Sequence, residues 1–145
     1  MVNSLPANAK VLILFGEIDC REDEGIIKNY KKTDQDIDTS ISQVVKDYTS
    51  YLSKVLEGKG LNVIIGGVPA PVIKHDVTVN DKELLIRVVK EFNLILSKEI
   101  VRKNYSFLDL YSLTRNQQGF ANGVSHIDDH HLYPQVLKQA LSELR

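Results

Sequence analysis

An α/β fold built on a parallel sheet is what this sequence predicts, and three observations predict it. Short apolar runs alternate with long amphipathic stretches, each run ends in glycine or a polar loop, and the order along the chain is β-α-β-α-β-α. Such alternation implies parallel strands joined by right-handed crossovers.

Val11 to Phe15 is a continuous apolar run closed by Gly16, as expected of a strand buried on both faces. A polar loop is expected from there through Thr33. From Asp34 to Glu57 the apolar residues Ile37, Ile41, Val44, Val45, Tyr48, Leu52, Val55 and Leu56 recur at three- and four-residue steps. Thr33 with Asp36 opens this long helix and Gly58 closes it. Asn62 to Ile65 repeats the β-branched pattern of a strand, then runs into Gly66-Gly67-Val68-Pro69-Ala70-Pro71, which cannot stay in regular structure. Asn80 followed by Glu83 signals a helix start, and Leu84, Leu85, Val88, Val89, Phe92, Ile95, Leu96 and Ile100 carry that helix to about Lys103. Ser106 to Tyr111 reads as a third strand. A loop with Gly119 and Gly123 follows, and Pro134 starts a last helix bearing Val136, Leu137, Ala140, Leu141 and Leu144.

If the strands lie in sequence order, Val11 to Phe15 is an edge, yet its unbroken apolar character suits a central strand. A neighbour is therefore expected beside it. Residues preceding this sequence are the first expectation, and the same strand of a second copy, giving a homodimer, or the first ten residues laid along the edge are the others.

The 145 residues, 43% hydrophobic and 26% charged, fit one globular domain spanning 1–145. A formal net charge of -1 offers no general attraction to nucleic acid or to an anionic membrane surface, so neither is expected as a partner. With Cys20 the only cysteine, no intrachain disulfide forms and a cytoplasmic location is the default expectation. No apolar stretch approaches the roughly 18 residues that span a bilayer, and Met1 to Lys10 is too polar for a signal peptide.

The chemistry is concentrated in His126-Ile127-Asp128-Asp129-His130-His131, which holds three of the four histidines beside two carboxylates. Such a segment suits either an Asp-oriented His acting as general base or a set of metal ligands. In open parallel sheets ligands bind beyond the carboxyl ends of the strands. Gly16 to Arg21, Gly66 to Pro71, Ser112 to Asn116 and Asp128 to His131 would all open onto that crevice.

Asp128-Asp129-His130-His131-Leu132 resembles the Asp-x-x-His block of the SGNH (GDSL-type) hydrolases, which also stands shortly before a C-terminal helix. Gly16-Glu17-Ile18-Asp19, directly after a buried strand, is similar to that family's Gly-x-Asn-Asp block with its polar positions altered. The two matches span residue 11 to the C-terminus. The resemblance implies a flavodoxin-like three-layer α/β/α domain with a parallel sheet, here without its N-terminal strand or strands. It also implies an esterase or acyl hydrolase, needing no cofactor, in which a serine attacks an ester carbonyl. A small-molecule or carbohydrate ester, such as an acetyl group on a sugar, lies within the family's range.

His131 would then be the base and Asp128 its orienter, since a carboxylate three residues before an imidazole can accept its Nδ1–H and leave Nε2 free. The Gly16 amide would help to stabilise an oxyanion. Two departures stand out. The family's Gly-Asp-Ser nucleophile segment is absent, and Asp19 replaces an asparagine donor with a carboxylate that cannot donate when ionised. Asp19 would be protonated, or would hold Arg21 or another group, and Arg21 could itself bind an acidic substrate group.

Blander readings stand beside these. Asp128 could be only a helix-start carboxylate, Gly66 to Pro71 only a turn, His75 a surface residue, and Cys20 a small buried hydrophobe. Ser4, Ser112 and Ser125 are nucleophile candidates only because they are serines. The Arg21-Glu22-Asp23-Glu24 run and the Lys28 to Lys32 cluster read as a solvated loop. Two other functions fit the same residues: a non-catalytic binding or assembly domain on this fold, and a metal-dependent hydrolase using His126, Asp128 and His130 or His131, for which the spacing matches no standard zinc pattern.

Overall fold

In a computed structural model of the chain, residues 5–33, 35–73 and 77–144 are described. Three parallel strands, β1 (Lys10–Leu14), β2 (Asn62–Gly66) and β3 (Ser106–Leu108), lie side by side in sequence order. Lys10 to Leu14 face Asn62 to Gly66 residue for residue, and Ile64 to Gly66 face Ser106 to Leu108. The helices are α1 (Gly25–Thr33), α2 (Ile37–Leu56), α3 (Val79–Arg102), α4 (Leu110–Thr114) and α5 (Pro134–Glu143), with a 3-10 turn at Ile18–Cys20.

Two crossovers of the same hand place α2 and α3 on one face of the sheet. There Ile13, Phe15, Val63, Ile65 and Phe107 pack against Ile27, Ile41, Val45, Val88, Val89, Phe92 and Leu96. Side chains alternate along a strand, so Leu12, Ile64 and Leu108 point the other way, onto Ala140, Leu137 and Leu141 of α5 and onto Leu132. The result is a three-layer α/β/α arrangement whose second helical layer is formed by α5, with Leu110 at the start of α4 packed beside it.

With the strand order β1-β2-β3, the outer side of β1 has no partner strand among the described residues. Leu14 is 49% exposed, high for a residue in an apolar strand. Residues 8 and 9 do not close this edge: Asn8 N–H donates to the Gly60 carbonyl at 2.8 Å and Asn62 N–H to the Ala9 carbonyl at 2.9 Å, so they follow the β2 side.

Several boundaries differ from the sequence expectation. Gly25–Thr33 is helical where a polar loop was expected. It is anchored by Ile26 and Ile27, and two adjacent isoleucines leave no period to read. Helix α3 is capped by Thr78, whose hydroxyl accepts from Asp81 N–H at 3.2 Å, not by Asn80. Strand β3 stops at Leu108 because the Asp109 carboxylate accepts from Ser112 N–H at 3.0 Å and starts α4, turning the apolar Leu110 and Tyr111 into buried helix residues. Helix α2 starts at Ile37, later than expected: Asp36 is itself the cap, accepting from Thr39 N–H at 2.8 Å, and Thr33, expected to open this helix, ends α1 instead.

Candidate active site

The loops that leave the carboxyl ends of β1 and β2, together with the segment before α5, meet around a cavity of about 510 Å³. Its lining includes Gly16, Glu17, Asp19, Tyr48, Gly67, Pro69, His130 and His131, with Leu14, Leu110, Leu132 and Leu137 as an apolar wall.

The loop after β2 is where buried backbone most needs partners, and it has them. Asn93 of α3 accepts from Val68 N–H at 2.7 Å and donates to the Val68 carbonyl at 2.8 Å. Thr114 accepts from Ala70 N–H at 2.9 Å, and Ala121 N–H donates to the Pro71 carbonyl at 2.9 Å. Gly67 leaves room for this arrangement, since a Cβ there would lie 2.6 Å from Asn93 Oδ1. Replacing Asn93 with alanine strands both a buried N–H and a buried C=O, so chemical denaturation should show a loss of about 2–4 kcal/mol. Asn93→Asp should be no better, because it retains an acceptor for the N–H but faces the carbonyl with a second one. Asn93 stood in the sequence as a polar residue within the Val89, Phe92, Leu96 stripe, a signal that could have been read.

Asp128 and His131 form a pair. His131 Nδ1 lies 2.8 Å from Asp128 Oδ2, and Asp128 Oδ1 also accepts from the backbone N–H groups of His130 and His131, each at 2.8 Å. An ionised carboxylate only accepts, so His131 carries its proton on Nδ1 and Nε2 keeps its lone pair. The His130 backbone bond, then the His131 side chain and backbone, hold Asp128 down to about 2, so it stays ionised across the neutral range. The side chains of His131 and Asp128 are 73% and 54% exposed, so solvent reaches the pair freely.

Gly16 lines the same cavity with φ at +91°, a conformation glycine adopts without strain. Asp19 accepts from Tyr48 O–H at 3.0 Å, and the Tyr48 ring stacks on Phe15 with centroids 4.4 Å apart. The group that Asp19 holds is therefore Tyr48, not Arg21. Arg21 is engaged by Glu17 through Nε and Nη2 at 2.9 and 2.7 Å and by Glu24 through Nη1 at 3.0 Å, and it lines a smaller neighbouring cavity. Its guanidinium is occupied within the protein and raised further by the Glu17 bond.

Glu17 carried no assigned role in the sequence reading, and His130 only that of an alternative metal ligand. His130 Nδ1 lies 2.8 Å from Glu17 Oε1, a contact across 113 residues that no local spacing announces.

His126 turns elsewhere. Its ring lies near the Ala70 carbonyl, and its Nδ1 is enclosed with no partner. Burial lowers its pKa, against smaller opposing effects of the Ala70 carbonyl and Asp128. The unfolded chain thus binds the proton more readily. The stability contribution is complete above about pH 6.5, falls as pH drops through that value and levels off below the folded pKa. The thermal midpoint of the parent should accordingly drop more between pH 8 and pH 5 than that of His126→Gln, whose amide can still reach Ala70 but does not titrate. Equal drops would remove His126 as the cause.

No serine, threonine or cysteine is among the described residues lining the larger cavity, and its one hydroxyl, that of Tyr48, is committed to Asp19. Cys20 is buried, and burial, then Asp19 and Glu17, push its thiol well up, so it holds its proton at neutral pH. Ser112 donates to Asp109 at 2.7 Å, and Ser125 is buried. Ser4 and His75 lie outside the described residues. Among the described residues no three His, Cys, Asp or Glu side chains converge to hold a metal ion: His130 turns to Glu17, Asp128 and His131 to each other, and His126 lies apart near Ala70.

Three solved structures share this architecture. One is a protein described as a platelet activating factor from Streptococcus pneumonia, superposing with a TM-score of 0.61 at 12% identity over 94% of this chain and 59% of that one. Another is a GDSL-like lipase from Bacteroides thetaiotaomicron, with a TM-score of 0.58 at 15% identity over 94% of this chain and 63% of that one. The fold is GDSL-like. Phospholipase A1 from Streptomyces albidoflavus gives a TM-score of 0.55 at 16% identity, covering 93% of this chain and 71% of the other. This chain therefore spans about three-fifths of the length of the first two of these structures. No family model and no curated protein matches the sequence. Among the described residues no helix is long and apolar enough to cross a membrane.

Proposed function

We propose that this chain is the dyad-bearing part of an ester hydrolase, with His131 as general base, Asp128 as its orienting carboxylate and the Gly16 amide as an oxyanion donor. The carrying observation is the pair itself: His131 Nδ1 is held by Asp128 at 2.8 Å, and the same cavity collects Gly16 and His131 on a GDSL-like fold. The bonded Nδ1 fixes the tautomer, so Nε2 is the atom that removes the proton of an attacking hydroxyl or water. The ester is a small acyl ester, with an O-acetyl group on a carbohydrate or a short lipid ester as the two substrate classes.

The open side of β1 supports a nucleophile delivered from beyond the described residues. A strand pairing there would satisfy the unpaired backbone groups of β1, cover Leu14 and end beside the cavity that holds His131. Water is the nucleophile the chain can use without it.

A second reading, a binding or assembly domain that keeps the fold without turnover, is favoured by one observation: the absence of serine, threonine and cysteine from the described residues lining this cavity. The deciding experiment is hydrolysis of a small activated acetyl ester by the chain and by His131→Ala. A rate that depends on His131 supports the hydrolase, whereas equal rates in both proteins overturn it in favour of the binding domain.

A further inference from the structure

The two groups assigned to catalysis, the Gly16 amide and the His131 imidazole, sit on different loops, one leaving β1 and the other entering α5. Their immediate neighbours in sequence, Glu17 and His130, are joined side chain to side chain at 2.8 Å. We propose that Glu17 and His130 form a clasp that sets the position of His131 relative to Gly16, making both of them positioning residues of the site. This deepens the hydrolase reading and rests on it for the roles of Gly16 and His131.

The clasp is built on both sides. Glu17 does not swing freely, because Arg21 grips both carboxylate oxygens, with Nε 2.9 Å from Oε1 and Nη2 2.7 Å from Oε2. Arg21 is itself steadied by Glu24 at 3.0 Å. The Glu17 and His130 side chains are 29% and 32% exposed, enough burial for the bond to compete with water.

On the other side, the segment carrying His130 is closed on itself. Ile127 N–H donates to the His131 carbonyl at 2.8 Å, residues 126 and 132 form an antiparallel bridge, and Asp128 gathers the His130 and His131 amides. A rigid turn of this kind moves as one piece, so tying His130 to Glu17 fixes His131 as well. A misplacement of about 1 Å between catalytic groups can cost on the order of a hundredfold in rate, which is the magnitude such a clasp protects.

The bond also dictates a tautomer. A carboxylate that accepts from His130 Nδ1 requires the proton on Nδ1, the minority form of a free neutral imidazole, so the clasp has a spectroscopic signature. The test is nitrogen-15 NMR of the histidine rings together with amide hydrogen exchange on the whole chain. The parent should show His130 protonated on Nδ1. Glu17→Ala should return it to the Nε2–H form and lower the Nδ1–H fraction of His131, and Glu17→Gln, which keeps an acceptor oxygen, should restore both.

Two amides report on the two loops: Cys20 N–H, bonded to the Gly16 carbonyl at 3.1 Å, and Ile127 N–H, bonded to His131. In Glu17→Ala, and in His130→Ala where Arg21 keeps its partner, both should exchange about tenfold faster together, with Val89 in α3 unchanged. Acceleration confined to the loop that carries the substitution, or a parent His130 protonated on Nε2, overturns the clasp. These readouts do not require turnover. Coupled loops in a chain inactive on esters would remove the hydrolase reading alone, and uncoupled loops in an active chain would remove the clasp alone.

Discussion

His131→Ala is expected to lower the hydrolysis of a small activated acetyl ester by about a hundredfold, the lower end of what a positioned general base contributes. The lower end applies because the cavity offers no serine, threonine or cysteine among its described lining residues, so that water is the attacking group these residues leave. Two features make the imidazole competent. Its Nδ1 is 2.8 Å from a carboxylate held ionised down to about 2, and that contact leaves Nε2 as the proton-free nitrogen of the neutral ring. Asp128→Asn should fall between parent and His131→Ala. Asparagine keeps an acceptor for the His131 Nδ1–H and for the two backbone amides, so the turn survives, but the negative charge that steadies the imidazolium is gone. An order in which Asp128→Asn is as damaging to folding as to rate would assign the pair to structure instead. Steady-state kinetics alongside thermal melts of the three proteins separates the two.

Gly16→Ala is expected to destabilise the protein by about 3–5 kcal/mol, adding the strain of a left-handed backbone to overpacking. The φ of +91° is one that L side chains rarely adopt, and the new Cβ would lie 2.5 Å from Cε1 and Cζ of Phe92. Phe92 is fully buried in the core beneath the sheet and has nowhere to go. A chain of this size should lose roughly 10 °C or more in its thermal midpoint. The double variant Gly16→Ala with Phe92→Leu tests the cause. Leucine removes the ring atoms that clash, so the two changes should cost less together than the sum of their separate effects, while the backbone strain remains. Strict additivity would mean that the clash is relieved some other way.

The same glycine shows what kind of information the sequence carried. As the residue closing a strand it was readable as a turn; that its missing Cβ makes room for Phe92, 76 positions away, was not. Local signals of one sign were legible throughout: the stripes of α2 and α3 and the glycine-proline break after β2. Where two signals competed the local reading failed. Asp109 overrode an apolar run to start α4, and Ile26 and Ile27 anchored a helix inside a stretch whose charges suggested a loop.

By itself the sequence determined the α/β class, the order of the main elements and the Asp128–His131 pair, because each depends on residues within a few positions of one another. Only the tertiary structure decided that Glu17 meets His130, that Asp19 is held by Tyr48, that Arg21 is occupied by Glu17 and Glu24, and that Asn93 holds Val68. Except for the bonds of Arg21, these contacts join elements 25 or more residues apart. Their geometry is set by how the crossovers stack α2 and α3 on one face of the sheet and bring the loops to one end of it, which no spacing along the chain encodes.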